Sequence, residues 1–336
     1  MRLSYAPWGR TVAEVVDASV TAEQAGFSDI WISELHRSAF VPTAAIAAAT
    51  SRVGVGTAIA LAFTRSPMTT ALTALDLDDL SNGRFILGLG SGVQRLNENW
   101  HNARFGKAAP HLRETVAAIR TLVASLHHGE AIDIEGEYEP VRLRGYERPW
   151  PPVRDRIPIY LAAVGEIMTR LTGEIADGWL SHELCSPAFL REQLLPNIEA
   201  GLARGGRARG DLQVITSAMC VIDDDARQAK RWAAGLVAFY ASVRTYQGFF
   251  AFHGFEADAV AIQERFRAGD EQGMVDACPD EMVDALTFAG TADEVRKRLH
   301  DYDGLVDGIK LSPPTHLVPA EVTLHAQQQI LEHLTP

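Results

Sequence analysis

The chain has 336 residues, 47% hydrophobic and 22% charged, with a formal net charge of -12. This composition supplies a substantial core and excludes a disordered or fibrous chain; the acidic balance argues against general binding to nucleic acid or to an anionic membrane. Residues 1–10 are interrupted by Pro7 and lack a signal-peptide core, and the longest apolar stretches, such as 53–63, are too short to span a bilayer, so a cytoplasmic location without membrane attachment is expected.

Short β-branched or apolar runs alternate with longer helical ones, the pattern of βα units around a buried parallel sheet. Residues 3–6 read as strand one, 11–25 as a helix stopped by Gly26, and 29–33 as strand two. Strand three spans 53–60, and its glycines suggest a bulge or a close backbone approach. Pro67 suits a first helical turn, and that helix runs to Leu80 before Ser81-Asn82-Gly83 turns the chain. Strand four, 85–90, opens into Gly90-Ser91-Gly92, with no helix expected at once and the next around 113–126. The tract 127–156 has strand-like fragments and reads as an insertion. Strand five (157–163), a helix (165–176), strand six (177–182) and strand seven (212–222) follow, and 291–302 with 308–312 supply the last helix and strand. The aromatic-rich stretch 227–290 reads as a second insertion, its aromatics serving core packing first, with a dimer contact or a pocket wall as alternatives. About eight such units make one α/β domain, a single (β/α)8 TIM barrel with insertions, the economical architecture.

Sites in such barrels lie on the loops after the C-terminal ends of the strands. Glu34 and His36 follow strand two, where a histidine titrating near neutrality suits proton transfer. His182 and Glu183 follow strand six as a second such pair. Gly88-x-Gly90-x-Gly92 departs from the dinucleotide G-x-G-x-x-G; its backbone N–H groups and the Ser91 hydroxyl suit a phosphate or a planar ring, with a plain tight turn as the alternative. Cys185, Cys220 and Cys278 are too scattered for a metal site and are expected as reduced thiols. His127 and His128 are adjacent, so their rings are expected to point apart at the surface, and no metal site is expected. No G-x-S-x-G, Walker or H-E-x-x-H pattern supports hydrolase, nucleotidase or zincin chemistry.

Six ordered segments resemble the luciferase-like monooxygenase superfamily, and within it the actinobacterial coenzyme F420-dependent oxidoreductases: 22–34 (AEQAGFSDIWISE), 55–60 (VGTAIA) with 65–67 (RSP), 80–92 (LSNGRFILGLGSG), 158–165 (PIYLAAVG), 173–178 (GEIADG) and 290–295 (GTADEV). The resemblance implies a barrel whose deazaflavin, or alternatively FMN, lies against a bulge in strand three, at Thr57-Ala58 give or take a residue, with a non-proline cis peptide behind the ring and Ala60 beside it. It implies a cofactor tail on Ser91, Gly92, Val164, Gly165, Ile167 and Met168, and Glu34 near the ring. Relatives carry adjacent Asp and His where this chain reads Glu34-Leu35-His36, so His36 or Glu34 is the candidate for the coupled proton. The related sugar-phosphate dehydrogenases carry a glutamate and a lysine where this chain has Val93 and roughly Cys185, which argues against glucose 6-phosphate. A small, non-phosphorylated, partly apolar substrate is expected, touched by Trp8, Phe40, Phe63, Trp179 and His182. A separate enzyme that reduces the cofactor, and a homodimer, are the partners implied. The rival readings are a reduced-FMN monooxygenase and a non-catalytic flavin-binding protein.

Overall fold

Thr11 opens the first helix, Val12–Ala25, with a capping box: its hydroxyl accepts from the Glu14 N–H while the Glu14 carboxylate accepts from the Thr11 N–H. Gly26 closes the helix at φ 97°, a left-handed conformation that favours glycine. The computed structural model describes residues 1–335. Its strands are β1 (Arg2–Tyr5), β2 (Asp29–Ile32), β3 (Gly54–Thr57), β4 (Ala60–Leu61), β5 (Phe85–Gly90), β6 (Ile132–Ile134), β7 (Val141–Leu143), β8 (Ile159–Ala162), β9 (Gly178–Leu180), β10 (Gln213–Ile222), β11 (Phe288–Gly290) and β12 (Gly308–Ser312).

Parallel pairing runs β1-β2-β3-β5-β8-β9-β10-β12 and returns to β1, closing the eight-stranded barrel expected from the sequence; β4 continues β3 along β5. Side chains alternate in and out as the pleat demands. Ile30, Ile32, Val214, Ile309 and Leu311 pack in the layer under the helices, whereas Trp31, Tyr160, Leu180 and Ile215 pack together as a separate cluster inside the barrel.

Several elements escape the apolar pattern. Helix Gln94–His101 begins two residues after Gly92, correcting the expectation that no helix follows; its sequence is so polar that only Asn97 is buried. The next helix starts at Ala108 rather than 113, because Pro110 is tolerated in a first turn. Helices Phe40–Ala49 and Ala320–His333 complete the ring.

The tract 127–156 forms the antiparallel hairpin β6–β7, whose Tyr138 stacks on His111 at 4.6 Å. The His127 and His128 rings lie 3.9 Å apart, so they do not diverge: a turn after helix Ala108–Ser125 does not hold neighbouring side chains on opposite sides. The stretch 227–290 folds as helices, among them Ala226–Ser242, Gln247–Phe252 and Glu256–Arg267, around an apolar cluster that includes Val237, Phe250, Ile262 and Met282. Strand β11 closes it by pairing with the far end of β10, Cys220 opposite Phe288. The three cysteines are buried and unbonded. Among the described residues no helix is long and apolar enough to cross a membrane.

Candidate active site

One wall of the barrel mouth is a break in strand three. β3 pairs with β5 as Val55↔Phe85 and Gly56↔Ile86, whereas β4 resumes as Ala60↔Leu89 and Leu61↔Gly90, so the first side carries one extra residue. The peptide between Ala58 and Ile59 is cis, one residue beyond Thr57-Ala58. The enclosed Thr57 hydroxyl donates to the Gly88 carbonyl at 2.7 Å and accepts from the Gly88 N–H at 2.9 Å, standing in for the lost ladder. A Cβ on Gly88 would lie 1.7 Å from the Thr57 carbonyl oxygen, so only glycine permits this approach. Ala58 and Ile59 line the inner face with Ala162, and Ile59 lies over Gly90, whose Cβ would be 2.9 Å from the Ile59 Cγ1. This wall is apolar and low enough to receive a planar ring.

Two expected ring contacts are corrected here. The Thr57 side chain is used up in the bulge, and Ala60, 1% exposed, packs into the outer layer, so both shape the wall without presenting side chains to the mouth. Ile59 instead packs against the inner cluster of the barrel.

Glu34 secures the bulge from its other side. Its N–H donates to the Ile59 carbonyl at 3.1 Å, and its carboxylate accepts from the Leu61 N–H at 2.9 Å and from both terminal nitrogens of Arg65. Burial alone raises such a carboxyl; the hydrogen bonds from Arg65 and Leu61, with the Arg65 charge, outweigh it and hold Glu34 below the usual range. A carboxylate so engaged is poorly suited to carrying a proton. His36, two residues on, is exposed at the mouth.

The opposite wall joins the loop after β9 to the second insertion. The Leu184 N–H donates to His182 Nδ1 at 3.1 Å, which leaves the neutral ring's proton on Nε2, 3.1 Å from the Tyr246 hydroxyl. Burial drives His182 down to about 4, Glu183 opposing and Lys310 adding, so the ring is neutral near pH 7. Tyr240 meets the same ring edge-on at 4.4 Å. His316 is also lowered by burial, with Glu183 opposing and the nearby His36 adding. The insertion aromatics therefore both pack and wall the mouth. Tyr240, Tyr246 and His316 were not foreseen as site residues: an insertion gives no periodicity that says which of the two tyrosines faces in, whereas His316 lies on the loop after β12, where the barrel rule points.

Most of the aromatics expected around the substrate lie elsewhere. Trp179 is fully buried and faces outward, its Nε1 donating to the Ala163 carbonyl at 2.9 Å, because strand alternation sends its neighbour Leu180 inward. Phe63 stacks flat on His111 at 3.8 Å, and buried Phe40 lies under Arg65, so neither offers a free face. Trp8 is half-buried after β1, its backbone N–H donating to Gln327 Oε1. Of the four aromatics expected around an apolar substrate, Trp179, Phe63 and Phe40 thus offer it no free face.

On the rim, Gly92 adopts φ 61° and Asn97 Nδ2 donates to the Ser91 and Val93 carbonyls at 2.8 and 3.0 Å, fixing the loop after β5. Val164, Gly165 and Ile167 are exposed, Ile167 by 70%, whereas Met168 is half-buried against the outer layer. No side chain caps helix Glu166–Ile175 at Gly165, so its first N–H groups are left for an anion. Ser91, Gly92 and this helix start suit a phosphate-bearing tail.

The family model for luciferase-like monooxygenases matches residues 2–307. An uncharacterised protein of Mycobacterium tuberculosis is 33% identical over 307 residues, covering 89% of each chain. A putative coenzyme F420-dependent oxidoreductase of the same organism is 30% identical over 322 residues, covering 89% of this chain and 90% of its own. The solved coenzyme F420-dependent tetrahydromethanopterin reductase of Methanopyrus kandleri superposes with a TM-score of 0.84 at 23% identity, over 99% of this chain and 97% of its own, a likeness of fold. With the bulged strand and the rim loop in place, the match along nearly the whole chain makes this protein a member of the luciferase-like monooxygenase family.

Proposed function

We propose that the chain is a coenzyme F420-dependent oxidoreductase that moves a hydride between C5 of the deazaflavin and a carbon of a small, non-phosphorylated organic substrate. The observation that carries this reading is the bulge Thr57–Ala60, where a side chain replaces the strand ladder and leaves an apolar wall beside the glycines of β5. Identity to a named F420-dependent relative favours the deazaflavin over FMN.

When bound, the deazaflavin supplies the hydride-exchanging carbon. Ala58, Ile59 and Gly90 would take its ring; Ser91, Gly92 and the N–H groups opening helix Glu166–Ile175 would take its tail. Glu34 and Arg65 keep the wall in place, and exposed His36 handles the coupled proton. Val93 and the buried Cys185 supply no charge to a substrate phosphate, which supports a non-phosphorylated substrate. A separate enzyme would return the cofactor to its starting state, and the protein would work as a homodimer.

Titration of the purified chain with coenzyme F420 and with FMN, read by fluorescence, tests the reading. Tight F420 binding with weak FMN binding is expected. FMN binding with oxygen uptake on reduced FMN would replace it with the monooxygenase reading, and binding of neither would remove both. F420 binding without turnover of any substrate would leave a flavin-binding protein.

A further inference from the structure

Strand β12 reads Gly-Ile-Lys-Leu-Ser, and its central Lys310 is only 7% exposed. Ile309 and Leu311 on either side pack into the outer layer, so alternation turns Lys310 into the barrel, in register with Ser4 on β1 and Ser217 on β10. Nζ takes part in no hydrogen bond or ion pair among the described residues, and beside it the Ser217 hydroxyl is enclosed without a partner. Buried polar groups are normally satisfied, and an unpaired buried charge is costly.

Glu183, after β9, is the nearby opposite charge. Among the described residues its carboxylate accepts only from the Ser312 hydroxyl, at 3.2 Å. Burial lowers the Lys310 ammonium and Glu183 opposes that, so the two sense each other, yet they do not close into an ion pair. Ser312, which holds Glu183, is two residues beyond Lys310 on the same face of β12, so a group reaching both would need an acceptor for Lys310 and a donor for Glu183. A carboxylate there would meet Glu183, an ammonium would meet Lys310, and an apolar group would leave both unpaired.

We propose that Lys310 and Glu183 form a subsite at the base of the barrel mouth for an uncharged substrate group that accepts one hydrogen bond and donates another, a hydroxyl or a primary amide. The subsite rests on the oxidoreductase reading for its purpose and lies on strands other than those that hold the ring wall. It also gives the mouth a polar floor where the sequence suggested aromatic lining.

Reductive methylation of the full chain with formaldehyde and cyanoborohydride tests the subsite without any substrate turnover, with Lys310 read by peptide mass spectrometry against exposed Lys107 and Lys297 as internal standards. The probes are 2-propanol, acetamide and acetate, similar in size; the first two separate a hydroxyl from an amide. Slowing of Lys310 methylation by at least one neutral probe is expected, with acetate no better than chloride at equal ionic strength. In Glu183→Gln the repulsion is gone, and acetate should gain about tenfold in apparent affinity. An unreactive Lys310, protection by neither neutral probe, or acetate protecting best in the unsubstituted chain would each overturn the proposal. Lys310→Met should leave F420 affinity unchanged, and its loss would place the lysine in the cofactor seat and overturn the subsite. Failure of the unsubstituted chain to bind F420 removes the cofactor reading alone.

Discussion

The Thr57 hydroxyl holds both backbone groups of Gly88, donating at 2.7 Å and accepting at 2.9 Å, so one side chain repairs a parallel sheet where the backbone of β3 has left it. Thr57→Val keeps the shape and strands both groups, at a cost of about 1–3 kcal/mol for each. The variant should lose stability and F420 affinity together, and Thr57→Ser should keep both. Unfolding free energies from denaturant titration that match the unsubstituted chain within about 0.5 kcal/mol would show that the bulge does not depend on this residue.

Gly88 and Gly90 sit two apart on β5 yet should respond differently. Gly88→Ala drives a methyl against a carbonyl oxygen of the backbone at 1.7 Å, and is expected to prevent folding or cost more than about 3 kcal/mol. Gly90→Ala meets the Ile59 side chain at 2.9 Å, which can turn away, and Ala162 at an ordinary 3.6 Å, so the fold should survive with weakened ring binding. Circular-dichroism melts with F420 titrations separate the two; equal melting temperatures would contradict the geometry.

Glu34→Gln leaves Arg65 without its counter-charge in a partly buried position, a loss of about 2–4 kcal/mol. The folded carboxyl lies below its ordinary value of 4.5, so its contribution is present above that pH and lost as the pH falls through the folded value. Chemical denaturation from pH 7 to 3 should show this acid loss in the unsubstituted chain and less of it in the variant.

His182 acts in a higher window. Its folded value is about 4 against an ordinary 6.5, so the unfolded chain takes up a proton first. Stability from the neutral ring is complete above 6.5 and declines toward pH 4, by up to roughly 3 kcal/mol. His182→Gln should flatten the curve between those limits; an unchanged slope there would mean that the ring is not held neutral.

His36→Ala should lower turnover by roughly 100-fold once a substrate is found, with F420 affinity retained. Near-normal turnover would remove His36 from proton transfer.

The barrel was legible because the strands carry its signal in their own residues: 85–90 and the helix from Pro67 to Leu80 fall where apolar runs, proline and Ser81-Asn82-Gly83 place them. Side-chain direction was harder to read. Trp179 looked like a pocket aromatic at the end of a strand, and only the pairing of β9 with its neighbours shows which of Trp179 and Leu180 turns inward. Glu34 was recognisable by position, but its partner Arg65 lies 31 residues away, and only the fold brings them together. Lys310 did leave a trace, a lone lysine between Ile309 and Leu311 in a strand that must be buried. Tyr246 left none, since its meeting with His182 spans 64 residues and an insertion.

Strand β10 is ten residues long and belongs to two structures at once: Ile215 to Met219 pair with β12 in the barrel, while Cys220 to Ile222 pair with β11 of the insertion. The insertion is thereby tethered by main-chain hydrogen bonds on the side of the mouth away from Thr57 and Gly88. Its helices can exchange residues such as Tyr240 or Tyr246 without touching the bulge. The molecule is modular across its own axis, with one half free to acquire new selectivity while the other keeps its contour.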